Sequence, residues 1–198
     1  MIKVSHNGIV TLRKMLNRRL YIILNQSLLI NIIKMKKSDI TGKIIQSHIN
    51  NNFGGDKDYL YKYIYLKKEK IIYLYAVKGG EALSQIIDKK YNVSVMPIQM
   101  YILKFLINKT KLASFDVIFN FNNVIYFIKV NNKIIIENNI ENTEDELIKS
   151  MKNSNISKFA FIDINLNSDF SKIYNNVSII KIGDNLYEKV KDKSKLSS

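Results

Sequence analysis

The sequence contains no cysteine and no tryptophan, and only one proline and 7 glycines among 198 residues. Without cysteine there is no disulfide framework, no thiolate nucleophile and no cysteine-ligated zinc, and the chain fits a reducing compartment. Arginine is confined to Arg13, Arg18 and Arg19, and histidine to His6 and His48. No His-x-x-x-His or His–Glu pairing suggests a metal site. No apolar run approaches the ~20 residues needed to cross a bilayer. The best candidates, Leu20–Leu24, Leu28–Ile33 and Ile71–Val77, are strand-sized and interrupted by Asn, Gln or Lys. The basic N-terminal stretch lacks the apolar run and small-residue cleavage site of a secretory signal. The expectation is a chain that is neither secreted nor membrane-spanning.

What is present is apolar mass and positive charge. Hydrophobic residues make up 46% of the chain, and a chain of this length buries roughly 70% of the surface it exposes when unfolded. One large domain, or two small subdomains sharing a core, follows from that. The 31 Lys and Arg residues outnumber 17 Asp and Glu, giving a net charge of +14. Such a field favours nucleic acid, acidic lipid or an acidic protein face. Yet Lys, Asn, Ile, Tyr and Phe are abundant together, the profile of an AT-rich coding sequence in which surface lysine accumulates without a specific role. Arginine, which reads phosphates and bases bidentately, is scarce. Nucleic acid therefore ranks below protein as the expected partner.

Residues 1–19 have no clean period and read as a basic arm or short helix. Leu20–Leu24 and Leu28–Met35 are β-rich runs that read as a hairpin around Asn25-Gln26-Ser27. Ile40, Ile44, Ile45 and Ile49 recur at helical spacing over Ile40–Asn52, and Gly54-Gly55 ends that helix. Tyr59–Leu66 and Ile71–Val77 alternate with period two around Lys67–Lys70, the stronger hairpin signal. A helix at Glu81–Tyr91, a short strand at Val93–Val95 and a helix from Pro97 to about Asn108 follow. Phe115–Phe121, Val124–Val130 and Lys133–Glu137 then read as a three-strand meander, with Asn122-Asn123 and Asn131-Asn132 at its tight turns. Thr143 and Glu146 form a capping box opening a helix to about Met151. Phe159–Ile164 and Val177–Ile182 read as strands flanking a short helix at Ser168–Tyr174. Antiparallel hairpins feeding helix-crossover strands imply an α/β fold in two similar halves, split near Lys109–Ala113.

Catalytic constellations are scarce. The carboxylates of Glu141–Glu146 sit at a helix N-terminus, where the dipole favours negative charge. Asp163, at a strand end, and nearby Asp169 are the acidic pair most suited to a cleft. Gly54-Gly55 and Gly79-Gly80 lack phosphate-loop and dinucleotide spacing, although Gly79-Gly80 opens a helix that could offer backbone donors to an anion. Tyr59, Tyr61, Tyr63 and Tyr65 share one strand face, with Lys62, Ile64 and Leu66 on the other. Those tyrosines suit cross-strand packing, base stacking or a partner's anchor.

The segment Tyr63-Ile-Tyr-Leu-Lys-Lys-Glu-Lys-Ile-Ile-Tyr-Leu-Tyr-Ala-Val-Lys, the helix after it, and Val93-Ser-Val-Met-Pro-Ile-Gln-Met-Tyr-Ile-Leu together resemble the actin-like cytoplasmic proteins of bacterial type IV pilus and type II secretion assembly platforms. The resemblance covers roughly Leu20–Ile182 and rests on element order and hydrophobic pattern. It implies an actin-like (ribonuclease H-like) fold of mixed sheets with flanking helices. The implied division is a basic arm at 1–19, subdomains at 20–112 and 113–186, and a charged, membrane-proximal tail at 187–198. Actin-like ATPases place an acidic residue and glycine at both phosphate hairpins, whereas the corresponding turns here read Asn25-Gln26-Ser27 and Asn120-Phe121-Asn122-Asn123. A turn without a carboxylate holds Mg²⁺ poorly.

The expectation that follows is a non-enzymatic scaffold without cofactor or metal, at the cytoplasmic face of the inner membrane. It would recruit the assembly ATPase and contact inner-membrane platform proteins, with Arg13, Arg18, Arg19, Tyr61, Tyr63 and Tyr65 as candidate contacts. The lysines at 189, 191, 193 and 195 suit the cytoplasmic flank of a following membrane span. A nucleotide-binding actin-like ATPase and a basic nucleic-acid-binding module are the alternatives.

Overall fold

The computed structural model describes residues 3–6, 9–14, 19–86, 92–151, 155–166, 170, 172–174 and 176–180. Arg18, the tail beyond 180, and Ser168, Asp169 and Ser171 of the expected Ser168–Tyr174 helix lie outside them. The chain divides into two compact units, the first ending at Pro97 and the second taking in the chain from Ile98 onward. That division falls before the expected split at Lys109–Ala113, because the helix from Ile98 packs on a strand of the second unit. Among the described residues no helix is long and apolar enough to cross a membrane.

In chain order the first unit comprises β1 (Lys3–His6), β2 (Ile9–Lys14), β3 (Arg19–Leu24), β4 (Leu28–Lys34), α1 (Gly42–Phe53), β5 (Tyr59–Leu66), β6 (Ile71–Lys78), α2 (Gly80–Ile86) and β7 (Asn92–Pro97). These strands form a four-stranded sheet, β1-β2-β3-β7, and a three-stranded sheet, β4-β6-β5. The stretch expected to be a basic arm is thus a hairpin, Lys3 pairing with Leu12 and His6 with Ile9. Val4, Ile9, Val10, Thr11 and Leu12 supply enough β-prone residues for two strands despite the charge.

β3 and β4 do not form the expected hairpin. β3 runs parallel to β7, Leu20 opposite Val93, while β4 runs antiparallel to β6, Leu29 opposite Ala76. None of Asn25, Gln26 and Ser27 adopts the positive φ of a tight hairpin turn, so the connection passes from one sheet to the other. Two adjacent apolar runs signal two strands, but local periodicity does not name their partners.

α1 begins at Thr41, whose hydroxyl accepts from the Ile44 amide at 3.3 Å, and ends at Gly54, with φ of 70°. It lays Ile45 and Ile49 against Ile33, Ile72 and Leu74 of the three-stranded sheet. Asn31 in β4 donates to Asn52 in α1 at 2.7 Å, fixing helix to sheet.

The second unit contains α3 (Ile98–Thr110), β8 (Phe115–Phe121), β9 (Val124–Asn131), β10 (Ile134–Glu141), α4 (Glu144–Met151), β11 (Phe159–Asp163) and β12 (Asn176–Ile180). Its five strands lie in the order β10-β9-β8-β11-β12, an antiparallel meander continued by two strands parallel to β8. Asn122 and Asn123 both have positive φ, 54° and 61°, as the expected tight turn requires. The next turn is Asn132-Lys133, one residue later than expected, with φ of 49° and 64°. Ser114 and Ala113 set that register, receiving the Asn132 and Lys133 amides at 3.3 and 2.7 Å.

α3 buries Ile98, Ile102 and Leu106 at one-turn spacing, with Gln99 buried beside them. α4 buries Leu147 and Met151 against Ile118, Ile125, Phe127 and Ile162. The capping box is formed, with the Glu146 amide donating to Thr143 at 3.3 Å and the Thr143 amide to Glu146 at 3.1 Å. Thr143→Ala is expected to cost about 1 kcal/mol, read as a lower denaturant midpoint with unchanged slope.

Candidate functional site

The three-stranded sheet has two unlike faces. Cross-strand register puts Tyr61, Tyr63 and Tyr65 opposite Ala76, Leu74 and Ile72, on the side covered by α1. Tyr61 and Tyr65 pack against the apolar cluster beneath that helix, and the Tyr61 ring lies 5.9 Å from Phe53. Tyr61 also donates to the Asp56 carbonyl at 3.1 Å. Tyr63, on the edge strand β5, remains 49% exposed. Two of the three candidate tyrosines therefore contribute to packing, and one reaches solvent.

The other face carries the rows Ile32–Tyr73–Ile64 and Lys34–Ile71–Leu66 across β4, β6 and β5. Ile32 is 52% exposed, and Ile64, Leu66, Ile71 and Tyr73 are only partly buried. Lys34 and Lys62 are exposed on this same face, and the turn beyond it is Lys67-Lys68-Glu69-Lys70, all exposed. At the opposite end the rows close down, with Leu28, Tyr75 and Val77 buried. The face is thus an apolar patch with a lysine border. The alternation of Lys62, Ile64 and Leu66 was visible in sequence; the contribution of Ile32 was not, because it required knowing that β4 pairs with β6. Arg13 lies on β2 and Arg19 on β3, in the four-stranded sheet, so these two arginines and the tyrosines belong to different sheets.

Gly79 and Gly80 do not offer free donors to an anion. Their amides donate to the Asp58 carbonyl at 3.0 and 2.7 Å, and the Glu81 amide donates to Asp58 Oδ1 at 3.0 Å. This end of α2 is closed by its own chain.

The second unit contains two fully buried carboxylates in its sheet, Asp116 and Asp163. Asp163 ends β11, and its Oδ1 accepts from the Asn165 amide and side chain, each at 3.3 Å. Asp116, near the start of β8, accepts from the Ser157 hydroxyl at 2.6 Å, the Ser157 amide at 2.9 Å and the Tyr174 hydroxyl at 3.2 Å. Burial raises the Asp116 carboxyl above its ordinary range, against the lowering effects of these bonds and of Lys129. Burial likewise raises Tyr174, reinforced by the adjacent carboxylate, so the phenol stays protonated as a donor. Register places Glu137, Lys129 and Asp116 in one row across β10, β9 and β8. This network had one sequence signal, a lone Asp inside the apolar run Phe-Asp-Val-Ile-Phe. Among the described residues no group of three or more His, Cys, Asp or Glu comes together as a metal site.

No family model matches the sequence, and neither does any curated protein. Among solved structures, the chain is similar to a Bacteroides thetaiotaomicron protein described as having an actin-like ATPase fold and unknown function. The TM-score is 0.50 at 13% identity, over 82% of this chain and 68% of that one. At that identity the likeness concerns fold alone. Together with the mixed sheets and four helices described above, it supports an actin-like α/β fold for this chain.

Proposed function

We propose that this chain is a non-catalytic protein-interaction scaffold. Its setting would be the assembly platform of a bacterial type IV pilus or type II secretion system, where it recruits the assembly ATPase to the cytoplasmic face of the inner membrane. The observation that carries the scaffold role is the open face of the three-stranded sheet, where apolar side chains stand partly exposed inside a lysine border. Contiguous exposed apolar surface of this kind marks interaction sites. The platform setting draws on the actin-like fold and on the element order from Tyr63 to Leu103.

The Asp116 network supports the non-catalytic part. Its acceptor oxygens are engaged by Ser157, which precedes β11, and by Tyr174, which precedes β12, so that both segments are held against β8. The turn Asn122-Asn123 supplies no carboxylate for a nucleotide-bound Mg²⁺.

The test is affinity capture with the full chain from a bacterial lysate containing pilus or secretion components, followed by mass spectrometry. Enrichment of an assembly ATPase or an inner-membrane platform protein is the expected result. Recovery of nucleic acid alone, or stabilisation of the chain by Mg–ATP without protein capture, would replace the scaffold with one of its two alternatives.

A further inference from the structure

We infer that the open face of the three-stranded sheet takes an acidic, amphipathic peptide segment of a partner protein, an inference that rests on the scaffold reading above. Three features of the face define that occupant.

The first is shape. Ile64, Leu66, Ile71 and Tyr73 are partly buried, and only Ile32 among the apolar side chains of these two rows is more than half exposed. Covering them takes a partner whose own side chains project into the sheet. Membrane-surface elements work in the opposite sense, pushing protruding apolar groups ~5–10 Å into the headgroup boundary. A peptide stripe meets the recessed face; a lipid surface meets mainly Ile32.

The second is charge. Lys34 borders the patch on β4, Lys62 on β5, and Lys67, Lys68 and Lys70 at the turn, with Glu69 the single acid in that turn. An occupant with carboxylates flanking its apolar stripe is complementary on these sides. An uncharged or basic stripe leaves the border repelled or unmatched.

The third is the disposition of aromatic groups. Tyr61 and Tyr65 pack on the α1 side, leaving Tyr73 as the tyrosine of the two open rows. Single-stranded nucleic acid is held by successive stacking platforms, and this face presents aliphatic side chains around one ring.

The experiment uses the full chain and a fluorescein-labelled synthetic peptide with a Leu/Phe stripe and flanking Glu residues, read by anisotropy. Saturable binding that weakens with added salt is expected. Ile32→Asp, and separately the pair Lys34→Glu with Lys62→Glu, are each expected to weaken it by about tenfold or more. All three positions are exposed, and circular dichroism melts verify that the variants stay folded. Tyr63→Ala, on the other face, is expected to leave binding unchanged.

No binding of the acidic peptide, equal binding of its Glu→Lys counterpart, or selective loss in Tyr63→Ala would overturn the assignment. So would binding to phosphatidylglycerol vesicles that Ile32→Asp abolishes while peptide binding persists. Repeating the lysate capture with Ile32→Asp separates the two readings. A platform protein still captured by that variant leaves the scaffold standing and refutes this face; capture lost with both proteins folded supports both.

Discussion

Asp116→Ala is expected to lower stability by about 2–4 kcal/mol, since it leaves the Ser157 amide and hydroxyl and the Tyr174 hydroxyl without their buried acceptor. For a chain of this size that corresponds to a fall in melting temperature of roughly 10 °C. Asp116→Asn keeps the shape and one acceptor oxygen, but turns an amide NH₂ towards donors, so its loss is smaller.

The two forms also differ in pH dependence. Burial outweighs the hydrogen bonds and raises the folded-state pKa of Asp116 above the ordinary 3.8. Between the ordinary and the raised value, the folded chain binds more protons at this site than the unfolded chain. Stability from this group therefore falls as pH rises through that window, and is constant above it. The wild type should exceed Asp116→Asn by most at pH near or below 3.8, by less as pH climbs, and by a fixed amount at neutral pH. Urea titrations of both proteins across this range read the gap directly. A gap that widens with rising pH would mean that Ser157, Tyr174 and Lys129 overcome desolvation.

Gly80→Ala is the second large effect, and its reason is steric. A β-carbon there would lie 2.8 Å from the Lys57 carbonyl oxygen and 3.0 Å from that of Asp58. That backbone cannot withdraw freely. The Asp58 carbonyl holds the Gly79 and Gly80 amides, and the Asp58 amide is itself held by Asp56 at 2.9 Å. Alanine favours a helix over glycine by up to about 1 kcal/mol, but forced overpacking costs about 1–3 kcal/mol. With several backbone bonds strained together the clash prevails, and a net loss near 2 kcal/mol is expected. Gly42 provides the comparison, because a β-carbon there meets nothing within 4 Å. Gly42→Ala should be neutral or slightly stabilising. Equal denaturant midpoints for the two alanine variants would refute the close approach.

Elements set by local chemistry were legible in the sequence. The Tyr59–Leu66 and Ile71–Val77 hairpin, the Asn122-Asn123 turn and the Thr143 capping box depend on residues close together in the chain, and each is found, the second hairpin strand running on to Lys78. Pairings between distant strands were not legible. Leu28–Lys34 has the composition of a strand, but nothing local says that its partner is β6 rather than β3. The basic residues of Lys3–Lys14 obscured a hairpin whose apolar alternation is short. The site followed the same division. Parity along β5 separated the tyrosines from Ile64 and Leu66, whereas completing the open face required β4. The Asp116 network needed Ser157 and Tyr174, far along the chain, and a lone buried Asp carries little signal until its donors are placed.

The parallel pairing of β3 with β7 also sets an order of events in folding. Arg19 meets Asn92 only after the intervening chain has been gathered in, whereas the β5–β6 hairpin and the β8–β9–β10 meander join neighbouring segments. Loop closure costs more as the loop lengthens, and long-range pairings form slowly. During synthesis the hairpin is therefore expected to form while β3 still lacks its mate. The inserted three-stranded sheet then shortens the span that remains to be closed, so the segment carrying the open face would also serve as the folding guide for the sheet on either side of it in sequence.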